Sequence, residues 1–331
     1  MIARLQVSLP YYLTVPGGEP FKIYSYNDEG YVVQFYPPVK TEIPELLDDV
    51  KEIQINGVPA FRTNVFYVEF HRTSFDRRKN IECDPTYDFI RRTLNYFLHK
   101  LRFVTKQSQI KPVDFPNLTW DISYLNDDST ELQKEEGLVR GRSMIMKRVS
   151  WNAMNSQIWE GINQLPPDYI PPEWDSLLLD AVDLLPEIGP AIVLAMTALE
   201  VFISKILDAM AVNSSIPKDL WKWINNRDWW LKNPAVEEQF DTLLYILSGV
   251  SFKKEKRPLW DAFKNLKKAR NSFVHDGVAK VGDRVATQKD GAHLVKAAGD
   301  IIGFVRELLP EEMRWPQLQY KLDVQVLLKV L

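Results

Sequence analysis

The sequence contains a single cysteine, Cys83, and only four histidines among 331 residues. One thiol excludes an intrachain disulfide framework, and so few sulfur and imidazole ligands disfavour a structural zinc site. We therefore expect neither a metal nor a cofactor. The Gly-x-x-x-x-Gly-Lys, Gly-x-Gly-x-x-Gly and Gly-x-Ser-x-Gly motifs are also missing. Their absence excludes the usual phosphate-loop, dinucleotide-binding and serine-hydrolase signatures.

Long apolar runs are scarce as well. The longest, at residues 191–203, is interrupted by Glu200, and Lys205 follows it. It falls short of the roughly 20 residues that cross a bilayer, and the first residues lack the apolar core of a signal peptide. We expect a cytoplasmic protein without a membrane segment. The net charge of −3 predicts no overall attraction to nucleic acid, so a polyanion site would be a local patch.

The first 150 residues show the alternating hydrophobicity of β-strands. Strands are predicted at residues 5–9, 31–36, 64–71, 118–124 and 138–147. Asn56-Gly57 predicts a hairpin turn because both residues tolerate a positive φ angle. Asp84 and Pro85 predict the N-cap and first position of one helix. The fold class expected for residues 1–165 is therefore α+β.

The apolar spacing changes near the middle of the chain. A helix is predicted at residues 151–164, and the four prolines of residues 165–174 then mark a domain boundary. Helical spacing predicts an all-α bundle over residues 172–312, with helices at 177–185, 192–210, 236–247, 259–273 and 294–309. Residues 316–331 alternate again. We expect them to form a strand that returns to the N-terminal sheet, because a lone strand leaves its backbone groups unpaired.

Residues 259–277 carry the most informative pattern. They predict one helix that ends near His275, because Pro258 suits its first turn and Gly277 suits the left-handed closing position. Arg270 falls within the apolar stripe of this helix, where a guanidinium needs an acidic partner, a phosphate or a second subunit. Asn271 and His275 lie four residues apart on a neighbouring face. A cation, an amide and an imidazole together suit phosphodiester chemistry.

The order Arg270-Asn271-Ser272-Phe273-Val274-His275 resembles the Arg, polar residue, then His signature of the HEPN superfamily, in its Apea-like branch. The helix that contains Glu200 is similar to the second helix of that branch. The likeness covers roughly residues 172–309, whereas the first 150 residues resemble no family that we can name. A second Arg-to-His spacing, from Arg92 to His99, is interpreted as part of an ordinary helix.

The resemblance implies a metal-independent endoribonuclease whose site lies at a homodimer interface. It implies that His275 is the general base or acid at the 2′-hydroxyl, that Arg270 stabilises the pentacoordinate phosphate, and that Asn271 positions His275 or the phosphate. Glu200 is a candidate ion-pair partner for Arg270 or for another basic residue. The superfamily includes toxins and antiviral defence effectors, and the resemblance implies such a role here. By elimination the N-terminal domain is expected to sense or regulate, and a regulatory partner protein is a candidate partner. Inactive members only dimerise or bind nucleotides, and a non-catalytic module stays the alternative.

Residues 251–270 carry eight basic residues against two acidic ones. This local excess of positive charge favours a surface that binds the phosphates along a nucleic-acid strand. A solvated helix face explains the charge equally well. The candidate RNA-binding residues are Lys253, Lys254, Lys264, Lys267 and Lys268. Four tryptophans at residues 221–230 lie among basic and amide side chains that suit single-stranded RNA. Packing within the bundle is the favoured interpretation of those tryptophans.

Overall fold

The computed structural model describes residues 1–16, 21–38, 53–55, 58–73, 84–114, 118–125, 131–135, 148–153, 156–185, 187–225 and 234–315. The chain divides into two compact units between Ile170 and Pro171, inside the proline-rich segment. The fold class is α+β, as predicted, with an antiparallel sheet in the first unit and helices in the second. The strands predicted at residues 138–147 and 316–331 lie outside the described residues.

The N-terminal unit is built on one sheet. Its described strands are β1 (Ile2–Pro16), β2 (Tyr24–Asp28), β3 (Tyr31–Phe35), β4 (Ile53–Ile55), β5 (Val58–His71), β6 (Thr119–Leu125), β7 (Glu131–Glu135) and β8 (Arg148–Ala153). The order is β2-β3-β5-β1-β6-β7, while β4 pairs with β5 and β8 pairs in parallel with β1. Ile55 lies opposite Val58, which is the pairing expected for the predicted hairpin. Alternation in β1 buries Ala3, Leu5 and Val7 on one face.

The predicted helix of this unit is α1 (Tyr87–Thr105), but its N-cap differs from the prediction. Thr86 caps it, because its Oγ1 accepts a hydrogen bond from the Phe89 backbone N–H at 3.3 Å. The prediction of Asp84 as N-cap is wrong. The Asp84 carboxylate instead accepts a hydrogen bond from the Tyr31 hydroxyl and lies 3.7 Å from the Arg72 guanidinium. Tyr31 lies in β3 and Arg72 directly follows β5, so neither partner is visible from the residues around Asp84.

The helix predicted to begin at residue 151 begins later, as α2 (Ser156–Gln164). The preceding residues belong to β8, which pairs in parallel with the central strand β1. Val149 and Trp151 suit a strand, since β-branched and aromatic residues pack well on a pleated surface. The helical prediction is therefore wrong over residues 151–153. Its apolar spacing holds from Ile158 onward, where Trp159 and Ile162 are buried.

A buried lysine connects α1 to the end of this unit. Lys100 is fully buried, and its ammonium donates hydrogen bonds to the Pro166 carbonyl at 2.7 Å, the Pro167 carbonyl at 3.3 Å and the Tyr24 hydroxyl at 3.0 Å. These bonds use all three N–H donors of the side chain. Desolvation lowers the pKa of Lys100 from 10.5 to about 8, although the Asp168 carboxylate opposes this shift.

Replacing Lys100 with methionine is expected to lower the free energy of unfolding by about 1–2 kcal/mol at neutral pH, because two carbonyls and a hydroxyl lose their donor. The wild-type protein also gains a pH dependence from this residue. Between pH 8 and the ordinary lysine pKa of 10.5, the unfolded chain holds a proton that the folded chain has released. The contribution of Lys100 to wild-type stability therefore rises with pH across that window.

Urea unfolding of both proteins at about pH 7 and about pH 9.5 measures this effect. The wild-type protein should become more stable relative to Lys100→Met as the pH rises. An identical pH response in the two proteins would contradict the assignment. Burial raises the pKa of Tyr31 and of Tyr36 to about 12. Both proteins contain these tyrosines, so their effect on stability cancels in the comparison.

The C-terminal unit is helical. Its described helices are α3 (Glu173–Asp183), α4 (Ile188–Asn213), α5 (Lys218–Asn225), α6 (Val236–Glu238), α7 (Leu244–Ser248), α8 (Phe252–Glu255), α9 (Arg257–Asp276) and α10 (Gln288–Glu307). A π-helix, Gln239–Leu243, connects α6 to α7, and the hairpin of β9 (Lys280–Val281) and β10 (Arg284–Val285) connects α9 to α10. The five helical segments predicted here are confirmed, whereas α5, α8, the π-helix and the hairpin were not predicted.

Helix α4 lies at the centre of this unit and packs against α3, α9 and α10. Its side chains Ile192, Met196, Leu199 and Phe202 are buried in the common core. By length and composition α4 could cross a membrane. This differs from the expectation that the chain has no membrane segment. More than half of its most apolar 18-residue stretch is buried inside the unit, however, as in the core helix of a globular domain.

Candidate functional site

Helix α9 carries the Arg-to-His motif at its C-terminal end. Pro258 lies in its first turn, and Gly277 closes it with a φ of 74° while its N–H donates to the Phe273 carbonyl at 2.8 Å. This left-handed closure favours glycine and ends the helix directly after the motif. The buried stripe of Phe263, Leu266 and Ala269 fixes the rotation of α9 against the core.

Arg270 lies half-buried at the edge of that stripe. Its Nη1 donates to Asn271 Oδ1 at 3.2 Å. Its Nε is buried and has no hydrogen-bond partner among the described residues. No carboxylate in the described parts of the chain lies within ion-pair distance of the guanidinium. A half-buried permanent cation without a counter-charge is costly, so the site favours an anion.

His275 lies exposed in the last turn of α9 and forms no hydrogen bond with any described residue. It is five residues from Arg270, which corresponds to about 140° around a helix. One copy of the chain therefore does not bring the two side chains together. Asn271 lies between them on the helix surface, but its hydrogen bond is to Arg270. Asn271 thus orients the guanidinium, and its expected contact with His275 is not formed.

Glu200 is half-buried on α4. It forms no ion pair with Arg270 or with any other basic side chain in the described ranges, so the pairing expected from the sequence is absent. The guanidinium turns along its own helix toward Asn271, where an acceptor lies one residue away. The hydrogen bond from Arg270 to Asn271 within α9 thus forms instead of the expected ion pair with Glu200 of α4.

Four polar residues of α9, Lys264, Lys268, Asn271 and His275, are spaced by four, three and four residues and share one face, which we call the basic face. Neither lysine of this face has an acidic partner among the described residues. Lys254 on α8 is exposed and also has no acidic partner among those residues. The other two candidates are paired: Lys267 with Glu237 at 3.1 Å, and Lys253 with Asp241 at 3.9 Å.

Gly189 is a site residue that the sequence analysis missed. It lies in the first turn of α4, where the Phe273 ring packs directly against its backbone. A Cβ at this position would overlap that ring. The contact fixes the C-terminal turns of α9, which carry the motif, against α4. A glycine in the first turn of an apolar helix was the only signal available in the sequence.

Side-chain hydrogen bonds help to hold the hairpin after α9. Ser272 Oγ accepts a hydrogen bond from the Lys280 backbone N–H at 2.9 Å and donates to the Ala269 carbonyl at 3.0 Å. Arg284 donates to both carboxylate oxygens of Asp290, at 2.6 and 2.8 Å. Hydrogen bonding from the Arg284 guanidinium holds the pKa of Asp290 well below its usual range. The chain beyond His275 is thereby tied to α9 and α10.

The tryptophan cluster divides into different environments. Trp221 is half-buried against the core and donates from Nε1 to Asp208 Oδ1 at 2.7 Å. Trp223 is 66% exposed on α5. Trp229 and Trp230 lie outside the described residues. Packing accounts for Trp221, while Trp223 is accessible to a ligand.

No group of three or more histidine, cysteine and acidic side chains suited to a metal ion occurs within the described ranges. Comparison of the chain with protein-family models, with curated proteins and with solved structures gave no significant match. The residues of α9 and their surroundings are therefore the basis on which a function can be assigned.

Proposed function

We propose that the protein is a metal-independent endoribonuclease of the HEPN type that cleaves single-stranded RNA. One observation carries this proposal: Arg270 is half-buried without a carboxylate partner in the described residues, and its Nε is buried and unpaired. A guanidinium in this setting is suited to bind a phosphate through several N–H donors. The exposed imidazole of His275 and the basic face lie on the same helix.

The proposed reaction is attack of a 2′-oxygen on the adjacent phosphorus. His275 removes the 2′-hydroxyl proton, the bond from the 2′-oxygen to phosphorus forms, and the bond from phosphorus to the 5′-oxygen breaks. A water molecule protonates the leaving 5′-oxygen, so one Arg270 and one His275 act on each phosphate. Arg270, oriented by Asn271, donates hydrogen bonds to the non-bridging oxygens as negative charge builds up on them. The products are a 2′,3′-cyclic phosphate and a 5′-hydroxyl.

A homodimer is part of this proposal. Because Arg270 and His275 diverge by about 140° around α9, we assign the Arg270 and His275 that act on one phosphate to different copies. Val274, which lies between them in sequence, is 54% exposed and gives the second copy an apolar contact. The site would then be incomplete in a monomer.

The proposed setting is the cytoplasm, where the protein acts as a toxin or antiviral defence effector. The N-terminal sheet unit would act as sensor or regulator, with a partner protein that restrains the nuclease where one is needed. The mostly buried position of α4 in the helical unit supports a setting outside the membrane.

Incubation of the purified protein with single-stranded RNA in EDTA tests the proposal. We expect cleavage to persist in the chelator and the new ends to be 2′,3′-cyclic phosphate and 5′-hydroxyl, because the proposed reaction needs no metal-activated water. Cleavage that stops in EDTA, or products with 5′-phosphate ends, would contradict the proposed mechanism.

The second candidate is a non-catalytic module that dimerises or binds RNA. It is favoured by the separation of Arg270 and His275 around α9, since a binding surface does not require the two groups to meet. Such a protein would bind RNA in a way that depends on Lys264 and Lys268 and would release no product. The EDTA assay combined with a binding assay separates the two functions.

A further inference from the structure

Two carboxylates pair with lysines in the basic region of the helical unit. Glu237 and Asp241, four residues apart, flank the junction of α6 with the π-helix Gln239–Leu243. Glu237 Oε1 lies 3.1 Å from Lys267 Nζ, and Asp241 Oδ2 lies 3.9 Å from Lys253 Nζ. We call residues 237–241 the acidic segment. It neutralises two of the five lysines that the sequence assigns to RNA.

An aromatic anchor holds the acidic segment in place. Phe240, between the two acids, is fully buried, and its ring lies 5.0 Å from the Phe263 ring of α9 and 6.0 Å from the Phe252 ring of α8. The backbone hydrogen bonds of a π-helix span one residue more than those of an α-helix, and π-helical turns occur often at functional sites. Here it points Phe240 into the core while Glu237 and Asp241 reach the lysines of α9 and α8.

We propose that the acidic segment withdraws Lys253 and Lys267 from RNA and thereby limits the affinity of the basic face, whose lysines are Lys264 and Lys268. This inference rests on the proposed RNA-binding function. The four side chains of these pairs keep 30–48% of their surface exposed. Ion pairs that solvent screens in this way contribute little to folding, so their carboxylates are not explained by stability alone. A phosphate that approaches Lys267 or Lys253 must compete with a carboxylate already in place. RNA is therefore bound mainly by Lys254, Lys264 and Lys268, which have no acidic partner among the described residues.

Binding of a labelled single-stranded RNA to Glu237→Gln/Asp241→Asn tests the inference. The assay uses the His275→Ala background in all proteins so that the RNA stays intact. Release of two lysines should make the salt dependence steeper by about 1.4, or about 0.7 per new phosphate contact, and should tighten binding about tenfold near 0.15 M salt. The matched control is Glu173→Gln/Asp300→Asn, which removes the same charge from pairs with Lys205 and Lys296. It should change the affinity by no more than about twofold.

A second set of variants separates the inference from the proposed function. Lys267→Ala should have little effect when Glu237 is present and should weaken binding about threefold or more when Glu237→Gln has released it. If binding depends on Lys264 and Lys268 but the acidic-segment variant behaves like its control, the inference is wrong and the RNA function stands. If binding does not depend on Lys264 and Lys268, the proposed function fails and the inference fails with it.

Discussion

Alanine at Arg270 or at His275 is expected to reduce RNA cleavage by about 10²–10⁴-fold, the range typical for loss of a general acid–base or of transition-state charge stabilisation. Both substitutions should leave the fold intact, because the Arg270 Nε has no partner among the described residues and His275 is exposed. RNA binding should persist through the lysines of the basic face. Cleavage in EDTA measures the loss, and circular dichroism checks the fold.

Two control variants match these substitutions in residue type. Arg257 is exposed at the start of α9 and pairs with Asp261 at 3.1 Å. His293 is exposed on α10. Arg257→Ala and His293→Ala should cleave within about threefold of wild type, because neither side chain belongs to the motif. Equal losses in the control and motif variants would show that the motif has no special part in cleavage.

Alanine at Gly189 is expected to cause the largest loss of stability. The added Cβ would overlap the Phe273 ring, which packs against the first turn of α4. Overpacking of this kind costs about 1–3 kcal/mol, and a unit of this size would melt about 3–10 °C lower. Cleavage should fall as well, because a displaced Phe273 moves the turn of α9 that carries Arg270 and His275. Thermal unfolding followed by circular dichroism measures the shift.

Gly303 provides the matched control for this substitution. It lies within α10, and a Cβ there would meet no atom within 4 Å. Gly303→Ala should therefore raise stability by about 0.5–1 kcal/mol, because alanine restricts the unfolded chain and favours the helix. Replacing Phe273 with leucine in the Gly189→Ala protein should recover part of the lost stability. A Gly189→Ala protein as stable as wild type would contradict the close packing of α4 and α9.

Local signals predicted the elements that local interactions define. Helix α9 was predicted with its proline at the start and glycine at the end because both residues act through their own backbone angles. The Asp84 cap and the helix at residues 151–153 were predicted wrongly because partners distant in sequence decided them. The Asp84 carboxylate accepts a hydrogen bond from Tyr31 and pairs with Arg72, and residues 151–153 belong to β8, which pairs with β1.

The candidate site divides in the same way. Helical spacing placed Arg270 within the apolar stripe of α9, and the structure has its side chain half-buried at the edge of that stripe. Its bond to Asn271 in place of Glu200 depends on side-chain rotation, which spacing does not reveal. The pairing of Lys267 with Glu237 depends on how two helices pack, and the two residues are far apart in sequence.

The most direct test of the account is the activity of a defined heterodimer. Co-expression of Arg270→Ala and His275→Ala chains with different affinity tags yields a dimer with one intact pair, Arg270 from one copy and His275 from the other. If the two residues act across the interface, each homodimer is inactive and the heterodimer recovers about half of the wild-type cleavage. A heterodimer as inactive as both parents, beside an active wild-type protein, would contradict a site shared between copies.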